Sequence, residues 1–357
     1  MSHPTPWNGR TLVLRGNEVE RLLDLRTCIA AVERAFLEHA GNAAGPPASV
    51  GIHAEGGGFH VKMATAPNAV AGRPAFAAKI NANFPANPDR NGLPTIQGVL
   101  ALFDASDGRL LALIDSIEIT TLRTAAATAV AAKYLAPERA AVAICGCGAQ
   151  ARSQLRALAC VRPIERVAAI DIDRERAAGF AREMGAELDL DVSVARTPSD
   201  VAHRANVWIT CTPSQHWFLG REHVAPGSFV AAVGADNPHK QEIEPELMAS
   251  SAVIVDILDQ CAAFGDLHHA LEAGLMERAH VRAELAEVVA HRGTERRSAD
   301  ETVIFDSTGT ALEDVAAAAI VFERAVTAGA GIAVDLGKSR GAPPAHRSPP
   351  SAEGVTR

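Results

Sequence analysis

Lys79, Arg123 and Asp236 each stand among apolar or small residues, where a charge is unfavourable unless it is paired or used. Lys79 lies in Ala77-Ala78-Lys79-Ile80-Asn81, which reads as a buried strand. An ammonium there could hold a carboxylate or assist proton transfer; the alternative is an edge-strand lysine facing water. Arg123 lies in Thr120-Thr121-Leu122-Arg123-Thr124-Ala125-Ala126. Its guanidinium could fork onto a carboxylate or a phosphate, or close an internal salt bridge. Asp236 follows an apolar strand in Val233-Gly234-Ala235-Asp236-Asn237-Pro238. At the carboxyl end of a parallel strand it could orient an amine or shuttle its proton; the plainer reading is an Asp-Asn-Pro turn. His60 and Lys62, alternating in Gly58-Phe59-His60-Val61-Lys62, share one strand face and meet either substrate or water.

A second constellation points to a nucleotide. Ala141 to Cys145 reads as a strand running into Gly146-Cys147-Gly148-Ala149-Gln150-Ala151 and an alanine-rich helix. Gly146 suits the tight turn, Gly148 lets the backbone approach a pyrophosphate, and the helix N-terminus offers unpaired N–H groups to the anion. Ala151 takes the third glycine position. The next strand, Arg166 to Ile170, ends at Asp171, which lies 23 residues beyond Gly148. A carboxylate there accepts from the ribose hydroxyls and repels a 2′-phosphate, favouring NAD. Arg174 and Arg176 just beyond leave NADP open. Asp171 could instead cap the following helix, and Asp173 is an equally good cap.

Positioning these groups requires two kinds of element. Residues 11–15 read as a short strand and Asp24 to His39 as a helix with an apolar stripe at Ile29, Val32 and Phe36. Ser49–His53, Gly58–Ala64, Phe76–Ala82, Gly98–Asp104 and Leu110–Asp115 then read as strands separated by glycine and proline turns, an antiparallel sheet by pattern. An alanine-rich helix from about Ile119 to Leu135 leads into the nucleotide unit. Beyond it, strands Ala141–Cys145, Arg166–Ile170, Val207–Cys211, Phe229–Val233, Ala252–Asp256 and one near Thr302–Phe305 alternate with helices. That alternation implies an α/β fold with a Rossmann-type, doubly wound parallel sheet. A last helix, about Ala311 to Ala328, should pack back on the first domain, and the Pro-, Ser-, Arg- and Gly-rich stretch 337–357 should be disordered.

Composition narrows the class. A chain of 357 residues suggests two domains, and 48% hydrophobic residues suffice for a sizeable core. A formal charge of -8 argues against general nucleic-acid binding, and 4% aromatic residues leave little for base stacking. No apolar run is long enough for a membrane span, and the polar start, Met1 to Arg10, lacks a signal-peptide core. The six cysteines form no CxxC framework and read as reduced packing residues of a cytoplasmic protein. His268-His269, side by side on a helix, point in different directions, so no metal is expected.

Together these residues resemble the ornithine cyclodeaminase/μ-crystallin family from about residue 11 to residue 335. The motifs that carry the likeness are Lys79 with Phe84-Pro85-x-Asn87, Leu93-Pro94-Thr95, Leu122-Arg123-Thr124-Ala125-Ala126 and Gly146-x-Gly148-Ala149-Gln150. Ala232-Val233-Gly234-x-Asp236-x-Pro238-x-Lys240 and Phe305-Asp306-Ser307-x-Gly309-x-Ala311-Leu312-Glu313-Asp314 complete the series. The resemblance implies a homodimer with a smaller α+β substrate-binding and dimerisation domain (1–122 plus 313–336) and an NAD-binding domain (123–312). It implies that Lys79 and Arg123 hold the substrate carboxylate, that Asp236 is the catalytic acid/base beside the substrate nitrogen, and that Thr308 touches substrate. Thr95, Arg123, Gly146, Gly148, Ala149, Gln150, Asp171, Thr212, Val230, Ala231, Ala232, Val233, Lys240 and Ser307 match the cofactor contacts.

The departures fall on the substrate side. Cyclodeaminases of the family carry an Arg where Ser49 stands here, and a Glu in the context His60-Val61-Lys62-Met63. A more positive pocket disfavours a substrate with a distal ammonium, and Lys62 becomes a candidate carboxylate ligand in place of the lost Arg. The expected activity is NAD-dependent hydride transfer at the Cα–N bond of an amino or imino acid. Cyclodeamination of ornithine with recycled NAD is the alternative, and a cofactor-binding protein without turnover is the third reading.

Overall fold

The computed structural model describes residues 9–41, 45–292 and 296–336; the stretch expected to be disordered, 337–357, lies outside them. The chain opens with β1 (Thr11–Leu14), α1 (Gly16–Leu22), α2 (Leu25–Ala40), β2 (Ala48–Ala54), β3 (Gly57–Val70) and β4 (Arg73–Asn83). It continues with α3 (Asn87–Asn91), β5 (Ile96–Asp104), β6 (Leu110–Asp115) and α4 (Ser116–Leu135). The β3–β4 hairpin is long because its turn suits the strand twist. Ala71 and Gly72 both have positive φ, 48° and 76°, the requirement of a type I′ turn.

The nucleotide unit follows: β7 (Ala140–Cys145), α5 (Ala149–Val161), β8 (Ile164–Ile170), α6 (Arg174–Leu188), β9 (Val192–Ala195), β10 (Val207–Thr210) and β11 (Phe229–Ala232). Then come α7 (Pro245–Ala249), β12 (Ala252–Val255), α8 (Leu258–Phe264), α9 (Asp266–Glu272), β13 (Ala283–Glu284), α10 (Leu285–Val289) and β14 (Val303–Asp306). Its eight strands are all parallel, in the order β13-β12-β14-β11-β10-β7-β8-β9. The winding reverses between β7 and β10, the switch point where a doubly wound sheet opens a crevice.

The chain then returns. Helix α11 (Ala311–Ala328) packs on β3, β4, α2 and α4, and β15 (Ile332–Val334) joins the first sheet. Thr310 caps α11 with the reciprocal Glu313 contact of a capping box, and Gly329 ends it with φ of 64°. The first sheet has the order β15-β1-β6-β5-β4-β3-β2. The five strands read as antiparallel pair so throughout, from β2 to β6, and β1, for which the pattern gave no direction, runs parallel to β6, with Leu12 opposite Ala112. β1 leads into α1 and α2 and is joined to β6 by no hairpin, so alternation alone gives no direction for it. Helices α4 and α11 lie against both the β-rich part and each other, and they bring Arg123 together with Glu313 and Asp314.

Candidate active site

Lys79 on β4 stands directly opposite Lys62 on β3, so both side chains leave the sheet on one face. Lys79 is only 3% exposed; its Nζ donates to Asp314 Oδ1 at 2.8 Å and to Thr120 Oγ1 at 3.3 Å. The water-facing alternative is thereby excluded. Lys62 Nζ donates to two backbone carbonyls, Thr308 O at 2.8 Å and Gly309 O at 2.7 Å. Each ammonium has three N–H donors and spends two on these partners. Arg123 donates to Glu313 Oε2 at 2.8 Å, and its Nε lies 3.0 Å from Asp314 Oδ1. Gly309 makes this approach feasible: at φ of 77°, a Cβ there would lie 2.2 Å from the Arg123 guanidinium.

Asp236 enters from the other sheet, in the loop after β11, where Oδ1 accepts from Lys240 Nζ at 2.7 Å. A cleft of about 320 Å³ joins the two sides. Lys62, Lys79, Arg123 and Asp236 line it together with His60, Gln150, Thr212, Val233, Lys240, Ser307 and Thr308. Asn81 also lines it, two residues beyond Lys79 on the same strand face, with Oδ1 accepting from Ser116 Oγ at 2.7 Å.

Other expected residues sit around this cleft rather than in its lining. Gly146 makes the tight turn, with φ of 88°; a Cβ there would come within 2.9 Å of Cys211 O. Gly148 precedes α5 as its N-cap and Ala149 begins it. Asp171 reaches back to the glycine turn, where Oδ2 accepts from Cys147 N at 2.8 Å, while Oδ1 accepts from Asp173 N. The cap of α6 is Asp173 instead, accepting from Glu175 N and Arg176 N. Val230, Ala231 and Ala232 are buried inside β11, and Val233 at its end reaches the cleft. The Thr95 carbonyl accepts from Phe84 N just before β5.

The electrostatics follow from burial among charges. Burial pushes Lys79 down to about 7, and neighbouring Arg123 adds to this while Asp314 opposes it. Burial also lowers Lys62, again with Arg123. For Arg123, burial is outweighed by Asp314 and Glu313, which hold its charge firmly. Glu313 is pushed up to about 6 by burial, against the pull of Arg123. Burial would raise Asp314, but Lys79 and Arg123 outweigh it and hold the carboxyl below its usual range. Asp236 keeps half its surface open to the cleft; enclosure raises it, and Lys240, Lys62 and His60 bring it below the ordinary carboxylate range. The cleft therefore offers cations toward a carboxylate and an ionised Asp236 beside them.

Sequence reasoning gave no separate role to Asp314 and Glu313, the counter-ions that make the buried cations tolerable. A signal was present: two adjacent acids at the start of an alanine- and valine-rich helix raise the same question as Lys79.

Fold and site define a two-sheet α/β protein of the dinucleotide-binding type, with a cationic cleft at the switch of its parallel sheet. The chain belongs to the ornithine cyclodeaminase/mu-crystallin family, whose sequence profile matches residues 10–329. It is 36% identical over 322 residues to the alanine dehydrogenase of Archaeoglobus fulgidus, covering 90% of this chain and 97% of that protein. Among solved structures, an archaeal alanine dehydrogenase dimer with bound NAD superposes with a TM-score of 0.86 at 34% identity, covering 92% of this chain and 99% of that one. The Δ1-pyrroline-2-carboxylate reductase of Thermococcus litoralis, in complex with NADH and L-proline, gives a TM-score of 0.86 at 30% identity, with 91% and 100% covered.

Proposed function

We propose that this protein is an NAD-dependent oxidoreductase that transfers hydride at the Cα–N bond of a small amino or imino acid. The observation that carries this reading is the meeting of Lys79 and Lys62 from the first sheet with Asp236 from the second in one cleft. The unspent N–H of each lysine matches one oxygen of a substrate carboxylate, with Arg123 reinforcing the positive field. Asp236, ionised and half open, exchanges the proton at the substrate nitrogen. NAD supplies or accepts the hydride when bound; the chain's part is to orient the reacting carbon and hold its charges. The glycine turn and α5 N-terminus receive the pyrophosphate, and Asp171 selects the unphosphorylated ribose. Related proteins named as an alanine dehydrogenase and a Δ1-pyrroline-2-carboxylate reductase support this class.

Cyclodeamination is the weaker reading, because no carboxylate stands where His60 and Lys62 line the cleft to receive a distal ammonium. The test is a panel of 2-oxo acids with ammonia or methylamine, plus preformed cyclic imines, read by NADH loss. Ornithine and lysine run alongside with ammonia detection. NADH loss that disappears in Asp236→Asn, with NADH binding retained, supports the proposal. Ammonia release from ornithine without net NADH change would replace it with cyclodeamination.

We further propose that the active form is a homodimer joined through the face of the first sheet opposite the lysines. There Val50, Val61, Ile80 and Val99 align across β2, β3, β4 and β5, and Val50, Ile80 and Val99 are 50%, 45% and 39% exposed. A contiguous apolar ladder of this kind is a contact surface rather than a solvated one.

A further inference from the structure

Three carboxylates grip the backbone of one another's segments across the C-terminal end of the parallel sheet. Asp306, at the end of β14, accepts from Leu267 N at 2.9 Å and Asp266 N at 3.3 Å, fixing the start of α9. Asp266 accepts from Glu242 N at 2.7 Å and Ile243 N at 2.9 Å. Glu242 accepts from Thr212 N at 2.6 Å, Thr212 Oγ1 at 2.7 Å, Gly234 N at 2.9 Å and Thr210 Oγ1 at 2.6 Å. The last step ties together the loops after β10 and β11, which carry Thr212, Val233 and Asp236 into the cleft. There is no slack: a Cβ on Gly234 would lie 2.4 Å from Thr212 O and 2.5 Å from the Glu242 carboxyl carbon.

The three acids are 0% to 1% exposed, and among the described residues none forms an ion pair with Lys, Arg or His. Asp266 Oδ2 is buried with no hydrogen-bond partner. Three full negative charges in such a place are not sustainable, whereas a neutral acid at Asp266 is.

We propose that Asp306, Asp266 and Glu242 form a proton-holding relay that positions the two cofactor-side loops, with the proton on Asp266 Oδ2. Burial pushes Asp266 well above the carboxylate range, with Asp306 and Glu242 adding to it; Asp306 rises to about 7 and Glu242 also rises, both chiefly through burial. The titratable groups on the surrounding elements include Cys145 at the end of β7, Cys211 after β10, Asp236 and Lys240 after β11, Asp256 after β12, Cys261 and the exposed Asp259 on α8, Glu244 and the exposed Glu246 at α7, and His268, His269 and the exposed Glu272 on α9 itself. Asp256 accepts from Gly309 N at 2.6 Å and Ser307 Oγ at 3.1 Å, and its charge adds to the rise of neighbouring Asp306. His269 Nε2 lies 2.8 Å from Lys240 O. The three relay acids are positioning residues, acting through Thr212 and Gly234.

The inference rests on the NAD reading for its functional consequence, so two readouts separate the two. NADH affinity is measured by fluorescence against pH in the wild type, Asp266→Asn and Asp266→Ala. Amide hydrogen exchange at Thr212 and Gly234 is followed in the same proteins. The relay predicts that wild-type affinity falls in the alkaline limb, approaching about tenfold per pH unit, as the proton leaves. Asn mimics the neutral acid, so Asp266→Asn keeps the neutral-pH affinity, lacks that limb and keeps both amides protected. Asp266→Ala loses affinity and protection; if it does not fold, the Asn profile decides. An alkaline limb unchanged in Asp266→Asn overturns the relay. If no form binds NADH, the NAD reading fails, and protection at Thr212 and Gly234 that stays constant with pH, after correction for base-catalysed intrinsic exchange, would then overturn the relay.

Discussion

Replacing Lys79 by Met removes the ammonium while keeping an unbranched side chain of similar reach in a site that is 3% exposed. Breaking a buried ion pair costs about 3–5 kcal/mol when the partner is left uncompensated. Here the partner is not abandoned, because Arg123 Nε lies 3.0 Å from the same Asp314 oxygen, and the burial penalty of Lys79 disappears with its charge. The stability loss should therefore stay below about 3 kcal/mol, leaving a folded protein. A hydrogen bond to a charged group contributes about 1.5–3 kcal/mol, so kcat/KM should fall by about tenfold to 150-fold. The assay is steady-state NADH consumption with a 2-oxo acid and ammonia, with NADH affinity as control. Repeating it with the corresponding 2-oxo amide closes a double-mutant cycle: the loss should nearly vanish when the substrate carries no carboxylate. A folded variant whose kcat/KM is unchanged, or falls equally with acid and amide, would refute Lys79 as a carboxylate anchor.

The other consequences are more compact. Lys79 is an ammonium below about 7 and an amine above it, so KM for a carboxylate substrate should rise with pH through that region and be flat in Lys79→Met. For stability the sign is opposite: between about 7 and its ordinary 10.5 the unfolded lysine binds more protons than the folded one, so this group favours folding increasingly as pH rises; a denaturation series checks it. Asp171→Ser should weaken NADH and improve NADPH, with the KM ratio moving by about tenfold, the value of one charged hydrogen bond. Ile80→Glu places a charge in the exposed ladder and should yield monomers in sedimentation velocity at concentrations where the wild type is dimeric.

Much of this arrangement could be read before the coordinates. The alternation of strands and helices from Ala141 onward gave the parallel sheet, and the helix read from about Ala311 to Ala328 is α11, Ala311–Ala328. Local patterns were enough because a strand, a turn and a capped helix are each specified by neighbouring residues. What escaped was non-local or short. Strands β13 and β15 span only two and three residues, too few to show a period, and the four-residue β9 has two exposed side chains and lacks the continuous apolar run of β10, β11, β12 and β14. The Lys79–Asp314 pair joins positions 235 apart, and nothing in either segment announces the other. The relay acids are harder still: Asp306, Asp266 and Glu242 each look like an ordinary turn or helix-start residue until the sheet order sets them in a row. His60 and Lys62 were open between substrate and water, and the register with β4 turned them toward the cleft.

The central claim is that hydride passes to a carbon held between the lysines and Asp236. It is tested most directly by supplying NADH deuterated at the transferable C4 position with a 2-oxo acid and ammonia. Mass spectrometry of the amino acid then locates the label. The account predicts one deuterium at Cα in product formed by the wild type and almost no product from Asp236→Asn. Amino acid formed without deuterium, or labelled product undiminished in Asp236→Asn, would contradict it.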